Sequence, residues 1–208
     1  MNRRQVLKNL GYTFGATAMT PTVLSILQSC TNTEGWSPKI IPASKTADLE
    51  AVLDIILPKT DTPSASELNL IRFVDAYMDI VVSEKDQNLF LQGWDAFLAI
   101  TQSENSSTDA AALEGQLVKY LRAERPKQGK WRQDLYSYLE ELEKNGTADA
   151  PQEALAYNSI SRLRDLAVTG FRGSEYIGEQ VLAYAPIPGQ QQGCVDLMET
   201  TGGKSWSL

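Results

Sequence analysis

The run Glu153-Ala-Leu-Ala-Tyr-Asn-Ser-Ile-Ser-Arg-Leu-Arg-Asp-Leu-Ala-Val168 decides the fold class. Ala156, Ile160, Leu163 and Ala167 recur at the spacing that lines residues along one face of a 3.6-residue helix. Period-two alternation, the mark of a half-buried strand, does not occur in it. Pro151 just upstream suits a first helical turn, where a missing N–H costs nothing.

Working outward, the same period returns in every other long segment. Ala47–Leu57 carries Leu49, Val52, Leu53 and Ile56, and Pro58 ends it. Glu67–Val82 carries Leu70, Phe73, Val74, Tyr77 and Val81, and Ser83 with Asp86 forms an N-cap arrangement for Lys85–Thr101, with Leu89, Phe90, Trp94, Phe97 and Leu98. The polar run 102–108 reads as a surface loop before Asp109–Glu124, with Leu113, Leu117, Tyr120 and Leu121. Trp131–Lys144 carries Leu135, Tyr138, Leu139 and Leu142, and Asn145-Gly146 stops it. The expected fold is all-α, a compact bundle of about six helices with an irregular C-terminal tail from Tyr184, rich in Pro, Gly and Gln. Trp206, Ile187 and Cys194 are costly to leave in water, so the tail should be bound, on its own body or on a partner.

Composition narrows the chemistry. The 208 residues are 42% apolar and 22% charged, a globular profile. There is no histidine, which removes the commonest side-chain base and metal ligand and with them Ser-His, Cys-His and haem-His centres. The two cysteines, Cys30 and Cys194, form no C-x-x-C, so thiolate zinc and iron-sulfur sites are not expected. Three carboxylate sets remain: Asp75 with Asp79, Glu50 with Asp54, and Glu140, Glu141 and Glu143. All three are read as solvated helix faces rather than as an acid-base pair across a cleft. Gly202-Gly203-Lys204-Ser205 lacks the upstream glycine, strand and helix of a phosphate loop. No catalytic residue, bound cofactor or metal site is expected in this chain.

The first residues read as an address. Arg3 and Arg4 precede Val6, Leu7 and Lys8 as in a twin-arginine export signal, and the weakly apolar stretch Leu10–Leu27 follows. Leu27-Gln-Ser-Cys30 resembles a lipobox, making Cys30 the expected lipidation site. The expected organisation is a signal peptide over 1–29, a tether over 30–46, and one helical domain over 47–208 with its extended tail 184–208. Loss of Arg3, Arg4 and Lys8 takes the formal charge from −7 to −10, which argues against nucleic-acid binding and for membrane contact through lipid. With Cys30 acylated, Cys194 is a thiol in an oxidising compartment: buried and inert, in an inter-chain disulfide, or covered by a partner.

Ile56-Leu-Pro-Lys-Thr-Asp61-Thr62-Pro-Ser-Ala65, Phe73-Val-Asp75, Leu166-Ala-Val-Thr-Gly-Phe171, Gly173-Ser-Glu175, Tyr184-Ala-Pro-Ile-Pro-Gly189 and Gly193-Cys194 together resemble the gluconate 2-dehydrogenase subunit 3 family. Arg172-Gly173 departs from the more usual aromatic-Thr before Ser-Glu. The resemblance implies a non-catalytic small subunit that escorts, anchors and stabilises a periplasmic glucose-methanol-choline type sugar or sugar-acid dehydrogenase. The large subunit would carry the FAD, often beside a separate cytochrome c subunit. The export route carries folded cargo, and this chain has no cofactor that would require folding first, so the signal is expected to serve a flavin-loaded passenger. The expected partner-facing residues are Asp61, Thr62, Phe171, Ile187, Cys194 and Trp206. Within the chain, Thr60–Pro63 also reads as a rigid helix-helix connector, and Gly170-Phe171 as a helix stop before a short helix from Ser174. The alternative is a free-standing lipid-anchored envelope protein with a ligand-binding or structural role; a carboxylate-based hydrolase is a distant third.

Overall fold

In the computed structural model, which describes residues 36–185, 189 and 194–207, the run that opened the sequence reading is the hub of the molecule. Among the described residues six helices exceed two turns: α1 (Ala43–Ile56), α2 (Leu70–Val81), α3 (Glu84–Asn105), α4 (Ala110–Leu121), α5 (Arg125–Asn145) and α6 (Gln152–Gly173). A π-helical turn (Ile177–Val181) and a short helix α7 (Leu197–Thr201) complete the unit Pro38–Leu208. The described residues contain no strand, only an isolated parallel bridge between Ala183 and Trp206. The chain is all-α, as its periodicity required.

All five other long helices pack on α6, and α3 does so most extensively. The expected stripe of Ala156, Ile160, Leu163 and Ala167 is buried, but so are Ala154, Leu155, Tyr157, Ser159, Leu166 and Gly170. A helix with neighbours on several sides is apolar or small around most of its circumference. Small residues set the closest approaches. A Cβ on Gly93 of α3 would lie 2.1 Å from Ser159 Oγ and 2.2 Å from the Leu155 carbonyl oxygen. Ser159 Oγ in turn donates to the Phe90 carbonyl at 2.8 Å. Three turns further along, a Cβ on Gly170 would meet the Phe73 ring of α2 at 2.6 Å. Gly170 is therefore a contact residue inside α6; the helix runs on to Gly173, past the stop expected at Gly170-Phe171.

Between the helices runs a chain of rings. Trp94, Phe97, Tyr120, Trp131 and Tyr157 follow one another at centroid separations of 5.4, 6.1, 5.2 and 5.0 Å, all tilted. Such offset contacts add roughly 0.5–1.5 kcal/mol each beyond their buried area. They tie α3, α4, α5 and α6 together.

The ends follow the capping chemistry with some shifts. Ser83 accepts from the Asp86 N–H at 3.3 Å and caps α3, while Asp109 accepts from the Ala112 N–H at 2.9 Å and caps α4. The polar run 102–105 is the last turn of α3, which closes on Ser106 at φ 57°. Gly146, φ 72°, ends α5 as expected, but α5 starts at Arg125, because Pro126 fits a first turn as well as Pro151 would. Pro151 itself is the N-cap of α6. In α5 only Trp131 is buried; Leu135, Tyr138, Leu139 and Leu142, expected in the core, are half-buried because α6 is its main neighbour.

Candidate functional site

Two places in the fold hold side chains in arrangements beyond what packing needs: the entry of the chain onto the body, and the C-terminal tail.

At the entry, Asp75 of α2 is 2% exposed, and its carboxylate accepts three consecutive backbone N–H groups. Lys39 donates to Oδ2 at 2.8 Å, and Ile40 and Ile41 donate to Oδ1 at 3.0 and 2.9 Å. One turn on, Asp79 pairs with the Lys39 ammonium at 2.6 Å. A buried carboxylate is tolerated because charge-assisted bonds replace its water. The reading of Asp75 and Asp79 as a solvated face is thus corrected: Asp75 is a buried latch that seats Ile41, 1% exposed, in the core. Both Asp75 oxygens and Asp79 Oδ2 thus hold this segment. Of the other carboxylates, Asp54 accepts from the Ser66 N–H at 2.8 Å, and Glu140, Glu141 and Glu143 are exposed.

The connector between α1 and α2 contains the sequence-predicted Asp61 and Thr62. Its ties are local: Thr62 N–H reaches Thr60 Oγ1 at 3.4 Å, and Thr60 N–H reaches the Thr62 carbonyl at 3.0 Å. Ser64 and Glu67 form a reciprocal capping box, with Ser64 N–H to Glu67 Oε2 at 3.0 Å and Glu67 N–H to Ser64 Oγ at 3.3 Å. Lys59 pairs with the same Glu67, whose carboxyl is held below its ordinary value by that lysine and by the Ser64 N–H. Asp61 is exposed and Thr62 half-buried.

In the tail, the turn Ile177–Val181 buries Ile177 and Gly178, and Ala183 then captures the chain end. Ala183 N–H donates to the Ser205 carbonyl at 2.9 Å and Ser207 N–H to the Ala183 carbonyl at 2.8 Å. Asp196 Oδ1 caps α7 by accepting from the Met198 and Glu199 N–H groups, both at 2.9 Å. Gly202 and Gly203, φ 63° and 81°, turn the chain away at its other end, a conformation that favours glycine. Yet α7 buries nothing: Tyr184, Val195, Leu197, Met198 and Trp206 are 44–68% exposed. Regular, capped backbone thus displays apolar side chains to solvent, which is the pattern of a contact surface rather than of a core.

The tail therefore holds Trp206, 51% exposed, and Cys194, an exposed thiol at φ 56°, so the buried reading of Cys194 is set aside. Phe171 is half-buried on the last turn of α6. No hydrogen bond or ring contact joins Asp61 or Thr62 to the tail among the described residues. Arg3, Arg4, Cys30 and Ile187 lie outside the described residues.

Sequence reading missed a polar cluster between α3, α4 and α6. Lys119 reaches Glu104 at 2.6 Å and Glu153 at 3.6 Å, Gln116 donates to Glu104 at 2.6 Å, and Trp131 Nε1 donates to Glu153 at 3.1 Å. Glu104 is lowered by its bonds from Lys119 and Gln116. For Lys119, burial opposes the charge but Glu104 and Glu153 outweigh it, so its pKa is raised. Burial, with Glu153 and Glu104 close by, pushes the Tyr120 phenol up and keeps it protonated. Glu104, Lys119 and Tyr120 are thereby each held in their neutral-pH charge state. Among the described residues no helix is long and apolar enough to cross a membrane, and no group of three or more His, Cys, Asp or Glu could hold a metal ion.

No curated protein and no solved structure matches the chain. A family of proteins does: the one described as gluconate 2-dehydrogenase subunit 3 matches residues 43–189, from the first residue of α1 through all six long helices and the π-helical turn. The match covers most of the chain, and the chain belongs to the gluconate 2-dehydrogenase subunit 3 family.

Proposed function

We propose that this protein is the non-catalytic small subunit of a periplasmic, FAD-dependent sugar or sugar-acid dehydrogenase of the glucose-methanol-choline type. It escorts that enzyme through twin-arginine export, anchors it by lipid on Cys30, and stabilises it. Family membership gives the coarse statement, a subunit of a dehydrogenase complex. The observation that carries the finer one is the ordered tail, whose capped α7 and Trp206 display apolar surface that a lone protein would cover. The latch at Asp75 fits the same role: it fastens the later part of the expected tether, Lys39–Ile41, to the body through three main-chain bonds, so load on an anchor reaches a folded domain.

The test is affinity capture of the tagged chain from membranes. A larger, flavin-yellow protein without its own export signal should come with it, and Arg3→Lys with Arg4→Lys should leave both in the cytoplasm. Recovery of the tagged chain without any flavoprotein, or normal export in cells that lack such a passenger, refutes the proposal.

A further inference from the structure

Helix α5 has charges arranged against its own dipole. Its first eight residues carry Arg125, Lys127, Lys130 and Arg132 and no acid, while from Asp134 onward it carries Glu140, Glu141 and Glu143 with Lys144 as its one cation. Arg125 and Lys127 in the first turn and Glu143 in the last oppose the macrodipole, and only Lys144 complements it, so helix formation alone does not account for the pattern. The same helix is also the least covered of the six, with Trp131 its single buried residue.

The outward stripe is more specific. Arg125, Gly129, Arg132, Tyr136, Glu140 and Glu143 step by four, three, four, four and three, the 3.6-residue period, so they share one face, and all six are exposed. Tyr136, at 68% exposure, stands at its middle. Arg132 donates from Nη2 to the Tyr157 hydroxyl at 3.1 Å and to Gln128 Oε1 at 3.5 Å, which leaves its Nε and Nη1 donors for a partner. Glu140 is held only by a surface pair with Lys144 at 2.8 Å, which exchanges readily.

We propose that this face of α5 binds the same face of a second copy of this chain, antiparallel about a two-fold axis level with residue 134. In that register Arg125 lies level with Glu143 of the other copy and Arg132 with its Tyr136, twice each by symmetry. Glu140 falls beside the gap at Gly129, about 4.5 Å along the axis from Arg125 and about 6 Å from Arg132 of the other copy. A face with a basic half and an acidic half is complementary to itself only when reversed, which is the condition for an isologous dimer. An unrelated partner would have to carry the opposite polarity over the same length. The proposal is independent of the dehydrogenase reading.

The experiment uses charge-reversed full chains in sedimentation and light scattering. Wild type should form dimers that dissociate as salt is raised. Arg125→Glu with Arg132→Glu should be monomeric, as should Glu140→Arg with Glu143→Arg, while an equimolar mixture of the two variants should regain dimer mass. Arg125→Glu and Glu143→Arg agree with the helix dipole and the other two changes are at exposed positions within the helix, so unchanged circular dichroism is expected and serves as the folding control. The proposal is overturned by a wild type that stays monomeric at low salt, by either variant dimerising like wild type, or by a folded mixture that does not associate. It is equally overturned if these reversals abolish capture of a flavoprotein while wild type alone remains monomeric.

Discussion

Replacing Asp75 by alanine removes the acceptor for three N–H groups at once. A hydrogen bond to a charged acceptor contributes about 1.5–3 kcal/mol, but the three losses do not simply add. The Lys39 and Ile40 amides are part-buried and can turn to water. The bond from Ile41 is buried, so its orphaned N–H costs about 1–3 kcal/mol. Removing a buried carboxylate gives back some desolvation energy, and loosening Ile41 forfeits part of its burial. The net expectation is a loss of about 3 kcal/mol, or a Tm lower by about 6–12 °C for a domain of this size. Asp79→Asn is the internal control: it breaks an ion pair whose lysine side chain is 70% exposed and should cost under about 1 kcal/mol. Urea unfolding with unchanged m-value measures both, and amide exchange at Lys39–Ile41 reports the latch itself, fast in Asp75→Ala and near wild type in Asp79→Asn. If Asp75→Ala unfolds at the wild-type urea concentration with those amides still protected, the segment is held by something else and the reasoning is wrong.

Gly93→Ala should destabilise by at least about 3 kcal/mol in thermal unfolding, although alanine is the better helix former by about 1 kcal/mol, because its Cβ meets the Leu155 backbone. Glu104 has a lowered folded pKa against an ordinary 4.5, so its contribution is present above that value and lost as pH falls through the lowered one. Acid titrations of wild type and Glu104→Gln should therefore diverge near neutrality and converge at the acid end; a constant gap across the range refutes this assignment. Met198→Ser with Trp206→Ala should leave Tm within about 1 kcal/mol equivalent, since both side chains are mostly exposed, yet reduce flavoprotein capture strongly. A large drop in Tm would make the tail part of the core instead.

The helical class was legible because amphipathic periodicity survives without any knowledge of neighbours. Its limits are equally physical. The sequence-level stripe on α6 left out Ala154, Ser159 and Gly170, since small residues have no strong hydropathy and their role emerges only where another backbone comes close. Asp75 was misread from its spacing to Asp79, although Ile71 and Met78, both buried, put it on the inward side of α2; a carboxylate in that phase was the available signal for a buried anchor. Polar residues 102–105 read as loop because composition was weighed over helix propensity. The apolar tail was visible as costly side chains, but its order depends on Ala183 pairing with Ser205 and Ser207, a contact no local pattern announces.

The ring chain also gives the protein a built-in optical readout. Trp94 and Trp131 sit 0% and 4% exposed among other aromatics, whereas Trp206 is half in water. With the half-buried Trp36 replaced by phenylalanine, the emission of these three should separate into a blue, mutually quenched component from the interior and a redder one from the tail. A binding event at the tail would shift the second alone, and loss of helix packing would unquench the first, so docking and unfolding can be followed apart in one unlabelled sample.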